Sequence, residues 1–246
     1  MEFDLYTIVI LMIAFWWSGF VRAGLGFGGA GLMYPVALLA VDSILFLVPI
    51  ICVQLLIFSA ATLIKDHPLI DWKTLGKIFV TLLPTFMIGV FGLITLPANL
   101  VLYTVYAVII YYSLTYIFNI NTARLGKWLD YPVLLAGGYV SGLSLSGAPL
   151  IAAVAIKKLE KRSVRASLFV LWSVLVIMKL STLYIYDVDL QLRHQLWLLP
   201  CALVGHLMGL RVHDRLMMVE GPAFYRWLGA GLLAVCLASI ARNFLT

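Results

Sequence analysis

Six long apolar runs constrain this chain more than any other feature, at about residues 43–64, 74–96, 98–118, 163–186, 191–211 and 222–244. Each supplies the roughly 20 residues that an α-helix needs to cross the hydrocarbon core of a bilayer. Inside lipid every backbone N–H and C=O must be satisfied within the protein, so such runs predict helices. The composition agrees: 63% of the 246 residues are hydrophobic, 11% are charged and the mean hydropathy is +1.06. Soluble domains carry about 25% charged residues. An ordinary soluble enzyme, a disordered chain and a nucleic-acid binder are thereby excluded. The chain reads as an all-α, polytopic membrane protein.

Two further apolar regions are broken. Residues 5–41 are interrupted by the Gly-rich stretch Gly24–Gly31, and residues 132–156 by Gly142–Pro149. The two interruptions align. Gly24-Leu25-x-x-x-Gly29-Ala30-x-Leu32 reads against Gly142-Leu143-x-x-x-Gly147-Ala148-x-Leu150, and upstream Gly19-Phe20-Val21 reads against Gly138-Tyr139-Val140. A short apolar helix and then a long span follow each break. The expectation is an internal duplication: a first membrane repeat at 1–118, a cytoplasmic linker at 119–131 and a second membrane repeat at 132–246.

The net charge of +6 sits in the short connections. Thirteen of the seventeen Lys and Arg residues fall in four of them. These hold Lys65, Lys73 and Lys77; Arg124 and Lys127; Lys157, Lys158, Lys161, Arg162 and Arg165; and Arg211, Arg215 and Arg226. The positive-inside rule puts all four connections in the cytoplasm. Residues 119 to 157 then begin and end on one side, so the second broken region is expected to be a re-entrant hairpin. Three crossings per half make the halves inverted, with about eight membrane segments in all. The side of the N-terminus stays open, because residues 5–22 are long enough to cross. Glu2 and Asp4 replace a positive n-region, so the first run is expected to remain in the mature chain. Asp42, Ser43 and Ser163 are expected helix caps, and Pro222 a helix start.

Non-helical backbone at membrane depth survives only where protein or a polar cavity surrounds it. Two duplicated breaks therefore point to a site. The helices that restart at Gly28–Gly31 and at Gly147–Leu150 present free N–H groups and the positive ends of their dipoles, which suits an anion. The alternative is that the glycines only allow close helix packing. Arg22 adjoins the first break and Lys179 lies within a span, while no Asp or Glu sits deep in any span. Such cations point to function; an interfacial arginine and a snorkelling lysine are the alternatives. The candidate substrate-binding residues are Arg22, Gly26, Gly28, Gly29, Gln54, Ser144, Ser146, Gly147, Ala148 and Lys179. Ser59, Ser167 and Ser173 are further polar groups, with helix–helix hydrogen bonding as their alternative role. His206, flanked by Gly205 and Gly209, is a candidate proton carrier or a structural histidine. The cysteines Cys52, Cys201 and Cys236 form no C-x-x-C pair, and no metal or cofactor constellation occurs.

The duplicated breaks, the halves with three long spans each, and the segment Gly24–Pro35 resemble the TauE/SafE sulfite exporter family, also called the toluenesulfonate uptake permease family. The resemblance covers nearly the whole chain. Ser144, Ser146 and Pro149 depart from the glycines of the first motif. The resemblance implies a multi-pass transporter of the cell inner (plasma) membrane for sulfite, organosulfonates or related sulfur-containing anions, with export the commoner direction and uptake known in some members; the duplicated breaks add the expectation of alternating access, with the anion bound between them near the midplane. Its partners would be a small anion and membrane lipid, with no nucleic acid. The coupling ion, a proton included, and homo-oligomerisation stay open. The alternative from another class is a rhomboid-like intramembrane serine protease. Ser144-Leu145-Ser146-Gly147 and His206-Leu207-Met208-Gly209 are similar to its two motifs, with Ser146 as nucleophile and His206 as base.

Overall fold

The computed structural model describes residues 3–25, 29–120, 126–160, 162–219 and 221–245. Among these, every long element is an α-helix. The helices are α1 (Leu5–Leu25), α2 (Gly29–Ala37), α3 (Ile44–Asp66), α4 (Trp72–Thr95), α5 (Ala98–Ile117), α6 (Asp130–Ser144), α7 (Ala148–Lys158), α8 (Val164–Ile185), α9 (Leu192–Val219) and α10 (Pro222–Leu245). The six expected spans appear as α3, α4, α5, α8, α9 and α10. Six helices among the described residues are long and apolar enough to cross a membrane: α1, α4, α5, α8, α9 and α10. The described apolar part of α3 is Ile44–Ala60. Helix α9 runs on beyond its expected end at 211, because nothing in Val212–Val219 breaks a helix.

The helix ends explain themselves locally. The Asp71 carboxylate accepts the Thr74 N–H at 3.0 Å and starts α4. Helix α10 starts at Pro222, as expected. Ser163 is the N-cap of α8 but makes no side-chain cap bond. Its hydroxyl donates to the Leu69 carbonyl instead, which ties the start of α8 to the connection after α3. Asp42 pairs with Arg242 at 2.5 Å.

The chain forms two compact units. One comprises Met1–Ser43, Ala98–Asn121 and Arg193–Thr246, and so holds α1, α2, α5, α9 and α10. The other comprises Ile44–Pro97 and Thr122–Leu192, and holds α3, α4, α6, α7 and α8. Each unit thus draws helices from both halves of the sequence.

In the second unit α4 lies directly against α6. A side chain at Gly142 would strike the Phe86 carbonyl, and one at Gly89 the Tyr139 carbonyl. The core around this crossing contains Leu82, Phe86, Val90, Leu134, Ile151, Leu171 and Leu175. In the first unit α1 lies against α9 in the same way. A side chain at Gly19 would strike the Ala202 carbonyl, and one at Gly209 would press on the Phe20 carbonyl.

Both broken regions fold back on themselves. Asp130, the first residue of α6, binds Lys157 at 2.8 Å and Lys158 at 3.1 Å, the last residues of α7. The hydrogen bond from Lys157 does most to hold the Asp130 carboxyl below the usual carboxylate range; burial opposes it, and the bond from Lys158 and the two positive charges add to the lowering. The Tyr6 hydroxyl, at the start of α1, donates to the Leu39 carbonyl just after α2 at 3.3 Å. The limbs are unequal: α1 has 21 residues and α2 has 9, whereas α6 has 15 and α7 has 11.

Candidate functional site

At the second break α6 ends on Ser144, and Leu145 turns the chain with φ of 64°. A leucine in this left-handed region costs about 1–2 kcal/mol, so the surroundings must hold it there. They do so through one carbonyl. Ser141 O accepts the Leu145 N–H at 3.0 Å and the Lys179 ammonium at 2.7 Å. Lys179 reaches across from α8 and is fully buried. Its Nζ lies 5.8 Å from the centre of the Phe86 ring, a cation–π contact. The ion pairs found among the described residues involve Asp42, Asp130 and Glu160, and none of these reaches Lys179. The lysine therefore does not snorkel. It offsets the negative end of α6 inside the protein, where a positive charge is favourable.

The next turn begins α7. Gly147 is its N-cap and offers no side-chain bond. A side chain there would collide with the Gly137 carbonyl and with Ser141. In the first turn Pro149 has no N–H and the Leu150 N–H bonds to the Gly147 carbonyl at 3.1 Å, which leaves the Ala148 N–H without a partner within the helix. Ser144 and Ser146 are both buried, and their hydroxyls lie 2.6 Å apart. Ser144 Oγ also donates to the Val140 carbonyl at 3.3 Å. This break thus gathers a buried ammonium, two linked hydroxyls and a helix start within one unit.

At the first break Gly26 and Gly28 lie outside the described residues. Arg22 lies in the last turn of α1 and is buried. Its Nη2 approaches Ser18 Oγ at 3.4 Å. Gly29 begins α2, and a side chain there would come within 3.3 Å of Arg22 Nε and 3.1 Å of the Ser18 carbonyl. The guanidinium therefore lies against the helix start.

The two breaks repeat the same contacts. Gly29 lies on the carbonyl of Ser18 and the side chain of Arg22, four residues on. Gly147 lies on the carbonyl of Gly137 and the side chain of Ser141, again four residues on. The partner helices agree: Gly209 meets Phe20 O and Gly24 N, while Gly89 meets Tyr139 O and Leu143 N. These contacts keep the pairing of Gly19–Val21 with Gly138–Val140. They set Gly24 against Leu143, one residue away from the pairing with Gly142 expected from the motif.

The remaining polar candidates separate. Ser167 Oγ accepts the Asp71 N–H at 3.1 Å, and Ser173 Oγ donates to the Phe169 carbonyl at 2.8 Å, so both have structural roles. Gln54 and Ser59 are fully buried on α3. His206 lies at the α1–α9 crossing, its backbone N within 3.0 Å of where a Gly19 side chain would stand. Gly205 and Gly209 serve that crossing. The Ser146 hydroxyl is engaged by Ser144, another hydroxyl, which cannot serve as its general base. No group of metal-ligating side chains occurs among the described residues. Sequence reasoning missed Ser18 and Ser141. Their signal is position, since Ser18 lies about two helical turns and Ser141 about one from the end of its limb.

A family model described as Sulfite exporter TauE/SafE matches residues 10–240. No curated protein and no solved structure matches the chain.

Proposed function

Since the chain belongs to the sulfite exporter TauE/SafE family, we propose that it is a secondary transporter that carries a small sulfur oxyanion, sulfite or an organosulfonate, across the inner membrane by export. The observation that carries this reading is the buried Lys179 ammonium at the second helix break, with no carboxylate against it among the described residues. A buried cation without a counter-ion is costly in a low-dielectric interior, and an incoming anion relieves that cost. The Ala148 N–H at the start of α7 supplies a further donor, and the Ser144 and Ser146 hydroxyls do so when they turn from the Val140 carbonyl and from each other toward the anion. Sulfite and sulfonates present several acceptor oxygens, which a ring of N–H and O–H donors satisfies. Arg22 beside Gly29 supplies the corresponding cation at the first break.

The repeated contacts at the breaks support two structural repeats related by inversion, each with a re-entrant hairpin and three crossings. Transport then proceeds by alternating access. Proton coupling, with His206 as carrier, is part of the same reading.

The test is flux into proteoliposomes holding the purified protein. Sulfite, sulfate, methanesulfonate and acetate are compared, with and without a pH gradient. Selective movement of a sulfur oxyanion, lost in Gly147→Trp, is the expected result. Acceleration by the gradient identifies proton coupling. No protein-dependent flux of any anion from a folded sample overturns the reading.

A further inference from the structure

Two buried hydrogen-bond donors outside the breaks have no partner among the described residues: Ser59 Oγ on α3 and the Trp172 indole Nε1 on α8. Ser59 is fully enclosed. The Trp172 ring is partly buried against the core, with Nε1 itself sealed from solvent. An indole N–H can only donate, and a buried donor left unmade is a net cost to the fold. Two such groups in one helix pair call for an acceptor.

Their placement is not arbitrary. Helices α3 and α8 pack together in one compact unit and run antiparallel. Just beyond the end of α3, Leu69 and Asp71 bond to Ser163 and Ser167 at the start of α8. Seventeen residues back from Leu69 is Cys52, and sixteen on from Ser163 is Lys179, so these two stand at about the same level of the antiparallel pair. Ser59 follows Cys52 by seven residues, and Trp172 precedes Lys179 by seven. Seven residues are about two helical turns, which returns each side chain to the same face and about 10 Å along the axis. Ser59 and Trp172 therefore stand at about the same level, two turns from Lys179 on the side of the connections rich in lysine and arginine. Asp66 closes α3 seven residues beyond Ser59, and no other Asp or Glu occurs in α3 or within Val164–Ile185.

We propose that Ser59 and Trp172 form a second station for the transported anion, one step from the second break on its route to the cytoplasmic side. The inference rests on the transporter reading. The O–H of Ser59 and the N–H of Trp172 donate to two oxygens of a small sulfur oxyanion. The donors are closed off in this structure, so occupancy requires α3 and α8 to part locally. The station fills when the break empties inward, or before it loads from that side.

The test uses the full-length protein labelled with ¹⁵N at the indole nitrogens, with the Trp172 signal assigned by its loss in Trp172→Phe. Sodium sulfite is titrated anaerobically, with sodium chloride at equal ionic strength as the control. The Trp172 N–H signal moves and saturates with sulfite and not with chloride. In Ser59→Ala the half-saturating concentration rises about threefold or more, the loss of one modest hydrogen bond. In proteoliposomes Trp172→Phe and Ser59→Ala raise KM for sulfite and leave the maximal rate measurable, whereas Gly147→Trp abolishes flux. An unmoved Trp172 signal while wild-type protein transports sulfite overturns the station and leaves the transporter reading standing. So does an unchanged KM in the double variant. Absence of sulfite flux by folded wild-type protein overturns the transporter reading, and the station with it.

Discussion

Lys179 Nζ and Ser141 O meet at 2.7 Å, joining residues 38 positions apart at the last turn of a broken helix. The carbonyl already holds the Leu145 N–H that closes the left-handed turn. A helix cap would be satisfied by that bond alone, so the ammonium adds a positive charge that the turn itself does not require.

That excess charge can be tested by substitution. Lys179→Met retains length and burial and removes the charge. Sulfite flux is expected to fall at least about tenfold, equivalent to about 1.4 kcal/mol. Lys179→Arg is expected to retain part of the flux. Flux and thermal stability are measured on the same samples. A large fall in Tm with unchanged flux per folded molecule assigns Lys179 to structure alone.

The α4–α6 crossing leaves no room for a methyl group. Gly142→Ala puts a Cβ on the Phe86 carbonyl and forces two backbones apart. Overpacking of this kind costs about 1–3 kcal/mol. Gly76→Ala, on the same α4 but with nothing within 4 Å, is the control. It is expected to leave stability unchanged or raise it by up to about 1 kcal/mol, since alanine is the better helix former. Thermal unfolding in detergent compares the two.

The pair of lysines on Asp130 gives the second hairpin a pH dependence. The carboxyl is held below its ordinary value of 3.8 when folded. A carboxyl depressed by folding stabilises the native state above its unfolded pKa, and that stability is lost as pH falls through the folded value. The expected loss therefore begins near pH 4 and deepens below it. Asp130→Asn is expected to be less stable than wild type at pH 7 and to converge with it at the acid end. Unfolding midpoints across pH 3 to 7 measure the difference.

The topology makes its own prediction. Single cysteines at the exposed positions Trp128 and Arg162 flank the α6–α7 hairpin. In a background without Cys52, Cys201 and Cys236, both are expected to react with an impermeant maleimide from the cytoplasmic side only. Tyr184→Cys, exposed at the end of α8, is expected to react from the opposite side. Labelling of Trp128→Cys and Arg162→Cys from opposite sides would mean that the hairpin crosses the membrane.

Much of this is legible in the sequence. The starts of α4, α5, α8 and α10 fall within two residues of the apolar boundaries, because in lipid the length of an apolar run and the length of its helix are set by the same desolvation. Pro222 marked the start of α10. Ser163 is a cap by composition whose hydroxyl went elsewhere, because Leu69 was brought close by a contact 94 positions away in the chain. The serines of the second break were visible as residues. Their mutual bond at 2.6 Å was not.

By itself the sequence determined the all-helical architecture, the places where helices must break, and the absence of deep carboxylates to neutralise Arg22 and Lys179. These are local properties of hydropathy, backbone freedom and charge. Tertiary structure alone decided that Lys179 turns inward to Ser141, that Arg22 lies on the start of α2, and that each compact unit is assembled from both halves of the chain. Helices of nearly uniform hydrophobicity carry little pattern to name their neighbours. What selects the neighbour is whether two backbones can touch, at Gly19 on α9 and at Gly142 on α4, and that complementarity exists only once both helices are in place.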